Sequence, residues 1–115
     1  MVNKKRLIRL TRKLIQMDSQ NPPGDELRIA KFVRDYLNNL GLSTKIYEFK
    51  SRRSNVVATL KGSSSRRALL ITPHLDTVPS GRSWKKDPFA GEIENNRIYG
   101  LGATDCKGNV ACAME

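Results

Sequence analysis

Apolar residues in the first part of the chain recur every three or four positions, the spacing of one face of an α-helix. This pattern predicts an amphipathic helix over residues 4–17, with an apolar face formed by Leu7, Leu10, Leu14 and Met17. The opposite face is basic. An arginine-rich helix with no acid before Asp18 is also typical of a mitochondrial presequence. Here, however, the helix runs directly into sequence that carries recognisable motifs.

A second helix is predicted after a short break. The segment 19–24 contains two consecutive prolines followed by Gly24, which interrupt a helix and permit a turn. The next helix is expected to begin near Asp25, because an acidic residue is favourable at a helix N-terminus. Its apolar face extends to Leu40, and Gly41 is a typical residue just beyond a helix end.

The pattern then changes to one typical of β-strands. Alternation over 42–47 predicts a half-buried strand, and 55–60 predicts a second. The apolar run 68–72 favours a strand buried on both faces in the middle of a sheet. Residues 91–100 indicate a hairpin with Asn95-Asn96 at the bend, and a last helix is expected to begin near Gly108. This order of elements predicts an α/β fold with a mixed central sheet flanked by helices.

Length and composition are those of one small globular domain. The chain has 115 residues, of which 38% are hydrophobic and 28% charged. No apolar run approaches the ~18 residues needed to span a membrane, and the N-terminus lacks the apolar stretch of a secretory signal. The only cysteines, Cys106 and Cys112, are too few for a disulfide framework, which favours a cytoplasmic protein.

The formal net charge of +10 raises the question of an anionic partner. The basic residues occur in short clusters on the first helix and at candidate turns, which is typical of solvated faces and loops. A basic nucleic-acid-binding module is the alternative, and it would lose affinity steeply with salt. We do not expect nucleic acid as a partner, because that hypothesis does not account for the chemistry-bearing motifs described next.

His74 and Asp76 form the first candidate site. In extended chain, residues two positions apart point to the same side, so the two side chains can meet. Imidazole is a good zinc ligand, and a nearby carboxylate fixes its tautomer. A histidine beside a carboxylate is nevertheless often purely structural, so this pair alone leaves both interpretations open.

Asp105 lies in the second candidate site, between a glycine-rich loop and the start of the last helix. Its two carboxylate oxygens could bridge two cations, but an aspartate ahead of a helix is also a common N-cap. Cys106 is interpreted as a small residue packed beside the loop and Cys112 as a core residue. Lys107 is interpreted as a solvated surface lysine, although it could attract an anionic substrate.

Four blocks give the chain a family resemblance. It resembles the zinc-dependent acetylornithine deacetylase / succinyl-diaminopimelate desuccinylase / aminoacylase / carboxypeptidase G family of metallohydrolases. In chain order the blocks are Asn21-Pro22-Pro23-Gly24 with Glu26; His74-Leu75-Asp76-Thr77-Val78-Pro79; Trp84 with Asp87-Pro88-Phe89; and Tyr99-Gly100-Leu101-Gly102 continuing through Asp105-Cys106-Lys107-Gly108.

The resemblance implies a role for each site residue. His74 would ligate one zinc ion, Asp105 would bridge two, and Asp76 would be the catalytic-site carboxylate that holds the imidazole. Cobalt or manganese could replace zinc. The resemblance also implies a cis Asp105–Cys106 peptide bond. The implied activity is hydrolysis of amide bonds in N-acyl amino acids or small peptides.

The chain also departs from the family pattern. Pro73 stands where many members have glycine before the ligand histidine, and the family's later ligands and general base have no counterpart here. We therefore expect residues 1–115 to be an incomplete N-terminal part of the catalytic domain, without its lid domain and inactive alone. The complete protein could be a homodimer. A non-catalytic relative, or a fragment that only binds a partner, is the second hypothesis.

Overall fold

The computed structural model describes residues 1–64 and 66–115, which form three α-helices, a short π-helical segment (Ala103–Lys107) and four strands. The helices are α1 (Lys4–Ile15), α2 (Leu27–Asn39) and α3 (Gly108–Met114). The strands are β1 (Ser43–Lys50), β2 (Arg53–Thr59), β3 (Glu92–Glu94) and β4 (Arg97–Tyr99). The predicted α/β class is confirmed, and so are all three predicted helices.

The three helices bury their apolar faces in one core. Helix α1 packs against α3, and α2 lies on the β1–β2 sheet. The buried side chains at the centre include Leu10, Leu14, Ile29, Val33, Val110 and Met114. Local signals set the helix ends: the Asn3 side chain accepts a hydrogen bond from the Arg6 amide at 3.0 Å, and Gly41 has a φ of +85° just beyond α2.

Two antiparallel hairpins make up the sheet structure. β1 pairs with β2 from Ser43↔Thr59 to Lys50↔Arg53, and β3 pairs with β4. Asn95 and Asn96, with φ of +49° and +60°, form the two-residue bend of the second hairpin, as predicted. The described residues thus contain two separate two-stranded sheets in place of one mixed sheet. Parallel pairing is limited there to an isolated bridge between Gln20 and Thr77.

The predicted central strand at 68–72 is wrong. This segment has no regular secondary structure, and the exposed fractions of Leu69, Leu70 and Ile71 are 86%, 82% and 63%. A strand requires a neighbour to pair its backbone groups, and no strand of the described residues lies alongside this segment.

The helices of the described residues are too short or too polar to span a bilayer.

Candidate metal centre

The loop that carries His74 is fixed by the residues that follow α1. The Ser19 hydroxyl donates to the Leu75 carbonyl at 2.7 Å, and the Thr77 amide donates to the Ser19 carbonyl at 3.0 Å. The Asn21 amide donates to the Thr77 carbonyl at 2.7 Å. Because residues 71–76 form no strand, these bonds replace a sheet ladder in positioning the histidine.

Asp76 orients the imidazole from one side. Nδ1 of His74 lies 3.2 Å from Oδ1 of Asp76 and 3.0 Å from the Asp76 carbonyl oxygen. The other carboxylate oxygen of Asp76 accepts a hydrogen bond from the Asn21 side-chain amide at 3.1 Å. Two acceptors beside Nδ1 favour a proton on that nitrogen, so that Nε2 is available as a ligand atom. The predicted approach of His74 and Asp76 is confirmed.

Asp105 lies on the other side of the same ring. Its Oδ1 atom is 2.8 Å from Nε2 of His74, and the His74 side chain is half exposed. The hydrogen bond that the imidazole donates to Asp105 raises the pKa of His74 above its ordinary value. An imidazole nitrogen and a carboxylate oxygen that point at the same volume are suitable donors for a divalent cation.

Cys106 is the third potential ligand near this point. The donor atoms of His74, Asp105 and Cys106 all lie within 4.8 Å of one another. The thiol, however, donates a hydrogen bond to the His74 carbonyl at 3.2 Å, and burial raises its pKa. A metal binds the thiolate, which this environment disfavours. The packing role predicted for Cys106 agrees with its burial.

The alternative interpretation of Asp105 as an N-cap is wrong. Helix α3 begins at Gly108 with Lys107 at the cap position, and among the described residues no side chain caps it. Asp105 has non-helical φ and ψ, and its carboxylate contacts His74. The Asp105–Cys106 peptide bond is cis, as the resemblance implied.

Two further interpretations are corrected. Lys107 is fully buried instead of solvated: its amine donates to the Met17 carbonyl at 2.6 Å, and desolvation lowers its pKa to about 8. Cys112 is exposed instead of buried, because it lies on the outer side of α3. The burial of Lys107 could not be predicted from its neighbours in sequence, because the acceptor of its hydrogen bond lies 90 positions away.

An open cleft of about 560 Å³ lies over the centre. Asn21, Trp84 and Tyr99 line it together with His74 and Asp105. Sequence reasoning placed Asn21, Trp84 and Tyr99 in family motifs without giving them a place at the site. The cleft is large enough for a small organic molecule beside a bound ion.

Comparisons with known proteins match the part of the chain that carries His74 and Asp105. Residues 70–115 match the model of Peptidase family M20/M25/M40. The chain is 35% identical over 117 residues to N-formyl-4-amino-5-aminomethyl-2-methylpyrimidine deformylase of Bacillus subtilis, covering 97% of the chain and 28% of that protein. It is 35% identical over 112 residues to succinyl-diaminopimelate desuccinylase of Blochmanniella floridana, covering 94% of the chain and 28% of that protein.

A third relative is acetylornithine deacetylase of Vibrio cholerae, which is 38% identical over 107 residues. That alignment covers 91% of the chain and 27% of the deacetylase. The chain therefore spans little more than a quarter of the length of the curated relatives it matches.

Proposed function

The chain belongs to the peptidase M20 family, and on that premise we propose that it is the metal-binding part of a hydrolase acting on amide bonds. The observation that carries the proposal is the approach of Asp105 to Nε2 of His74 at 2.8 Å, with Asp76 on the opposite edge of the ring. A carboxylate on each side of one imidazole is the arrangement expected of an oriented metal ligand.

Each residue of the centre has a distinct role in this proposal. His74 and Asp105 bind the metal, and Asp76 holds the imidazole with its proton on Nδ1. Asn21 in turn holds Asp76 through the 3.1 Å hydrogen bond. The Asp105 side chain is 86% exposed, so its second oxygen is free to reach a second ion.

Zinc is the proposed cofactor, with two ions in the complete enzyme and cobalt or manganese as substitutes. Nitrogen and oxygen donors suit all three metals. A bound zinc ion supplies Lewis acidity: it lowers the pKa of water towards 7 and polarises a carbonyl group.

The proposed substrates are small N-acyl amino acids or peptides. The three relatives are named a deformylase, a desuccinylase and a deacetylase, and each name describes removal of an acyl group. The cleft beside His74 has room for such a molecule, and Trp84 and Tyr99 offer apolar surface to it. The products would be a carboxylic acid and a free amine.

We further propose that residues 1–115 alone do not catalyse the reaction and correspond to the N-terminal part of the catalytic domain. A catalytic zinc usually has three protein ligands, and His74 is the only histidine of the chain. A general base and further ligands would come from other parts of the protein. Homodimerisation and a cytoplasmic location stay predictions.

The test is hydrolysis by the complete gene product, assayed with acetylornithine, succinyl-diaminopimelate and a dipeptide. We expect activity that is lost with a chelator and restored by zinc, and a loss of at least about 100-fold in His74→Ala and Asp105→Ala. Asp35→Ala is the control, since this exposed acid pairs with its neighbour Arg34 on helix α2. Wild-type rates in either site variant would refute the ligand assignment.

A further inference from the structure

A lysine that the proposed chemistry does not use is buried close to the centre. Lys107 has no exposed surface, and its amine makes one hydrogen bond within the described residues, to the Met17 carbonyl. Burying an ammonium group is costly unless it is paired. The lysine therefore holds Met17 tightly, because losing this bond would leave a polar group buried without a partner.

The lysine also closes the loop that carries Asp105. Its backbone amide donates to the Gly102 carbonyl at 2.8 Å, so residues 102–107 form a closed turn. Its methylene groups lie against Gly102, where an added Cβ would sit 3.2 Å from Cδ of the lysine. The position of Asp105 thus depends on where the lysine is anchored.

The anchor is the same segment that holds His74. Met17 accepts the hydrogen bond from Lys107, and two residues later Ser19 donates to Leu75 at 2.7 Å. Asn21 binds Asp76 and Thr77. Residues 17–21, which we call the hub segment, therefore contact both loops that form the centre.

We propose that Lys107 is a positioning residue of the metal centre, which sets the distance between Asp105 and His74 by fastening the Asp105 loop to the hub segment. This inference rests on the proposed function, because it presumes that His74 and Asp105 bind the metal together. Ser19 is the matching attachment on the side of His74.

The test is Co²⁺ binding to the complete gene product, measured by calorimetry and by the visible spectrum, which reports the coordination of the ion. Lys107→Met keeps the length of the side chain and removes the amine. We expect it to weaken Co²⁺ affinity by about tenfold and to change the spectrum, measured at a temperature where circular dichroism shows a folded protein. Lys86→Met is the matched control, since this lysine pairs with Glu92 and Glu94 outside the hub segment.

Ser19→Ala gives a second, independent measurement and is expected to weaken Co²⁺ binding as well. Folded Lys107→Met with wild-type affinity and spectrum would overturn the inference. If Lys107→Met does not fold, wild-type affinity in Ser19→Ala overturns it instead. A complete wild-type protein that binds no Co²⁺, or a His74→Ala variant of it that binds the ion normally, would refute the proposed centre itself, an outcome distinct from a failure of the lysine alone.

Discussion

Nε2 of His74 lies 2.8 Å from Oδ1 of Asp105, although 31 positions separate the two residues in the chain. His74 lies outside regular secondary structure, and Asp105 has a non-helical backbone. Their approach therefore depends on contacts between loops, and changes in those loops should be detectable in metal binding.

Asp105 and its neighbour Cys106 should respond differently to substitution. Asp105→Asn is expected to lower Zn²⁺ affinity by at least about tenfold, because an amide oxygen is a weaker ligand than a carboxylate. Cys106→Ala should leave the affinity nearly unchanged, since its thiol donates to the His74 carbonyl. Competition with a chromophoric chelator measures the Zn²⁺ affinity of both variants. A loss of affinity in Cys106→Ala that is larger than the loss in Asp105→Asn would identify the thiolate as a ligand.

The metal-free protein should show a His74 pKa above the ordinary value near 6.5. The stabilising pair of His74 and Asp105 is complete below the unfolded pKa and is lost as pH rises through the raised folded pKa. Zn²⁺ competes with the proton, so its affinity should rise over the same range. The single imidazole can be followed by proton NMR. Asp105→Asn should lower this pKa, and an unchanged value would contradict the contact.

Gly102 and Gly81 form a matched pair for testing the packing of the site. Both have positive φ, at +77° and +67°, but a Cβ on Gly102 would lie 2.7 Å from Thr77 Cγ2, whereas Gly81 has open space. Gly81→Ala should lower the free energy of unfolding by about 1 kcal/mol from backbone conformation alone. Gly102→Ala should cost about 2 kcal/mol more, from the steric conflict. Urea denaturation gives both values, and equal losses would contradict the close approach.

The exposed segment Leu69–Leu70–Ile71 should make the chain self-associate. Leu70→Glu removes one apolar contact and adds a charge, so the dissociation constant should rise by about tenfold or more. Sedimentation velocity over a range of concentrations measures this. Val2→Glu, another exposed apolar position, is the control. Unchanged association in Leu70→Glu would place the contact elsewhere.

Glu115 should contribute stability that acid removes. Arg6 donates two hydrogen bonds to this carboxylate and lowers its pKa from 4.5 to about 2. A depressed folded pKa gives stability that is present above the unfolded value and lost as pH falls from 4.5 through 2. Glu115→Gln should therefore melt lower than wild type at pH 7, and the difference should vanish as the pH falls below 2. Glu94→Gln is the control. If the melting temperature of Glu115→Gln changed with pH in parallel with that of the wild type, the result would contradict the ion pair.

Local patterns predicted the features that local interactions determine. The 3.6-residue periodicity identified α1 and α2, and Asn95-Asn96 identified a hairpin bend, because these elements form from neighbouring residues. The spacing of His74 and Asp76 likewise predicted their contact. The convergence of His74 with Asp105 could not be worked out from periodicity and was implied only by the family resemblance.

The errors concern features that distant residues determine. The apolar run 68–72 indicates burial, but a strand also needs a partner that the run itself does not specify. Lys107 looked like a surface residue because its hydrogen-bond acceptor, Met17, lies 90 positions away, just beyond the end of α1. Cys112 was misplaced because a helix of seven residues has too few positions to show which face is buried.

The length of the hub segment fixes the spacing between its attachments to the two ligand loops. Met17 and Asn21 are four positions apart, and one inserted residue of extended chain would shift one attachment relative to the other by about 3.3 Å. Metal–ligand distances tolerate only about 0.2 Å. A single-codon insertion there would therefore separate the two ligand loops, whereas the same insertion at the Asn95-Asn96 bend would lengthen a surface turn and leave both loops in place.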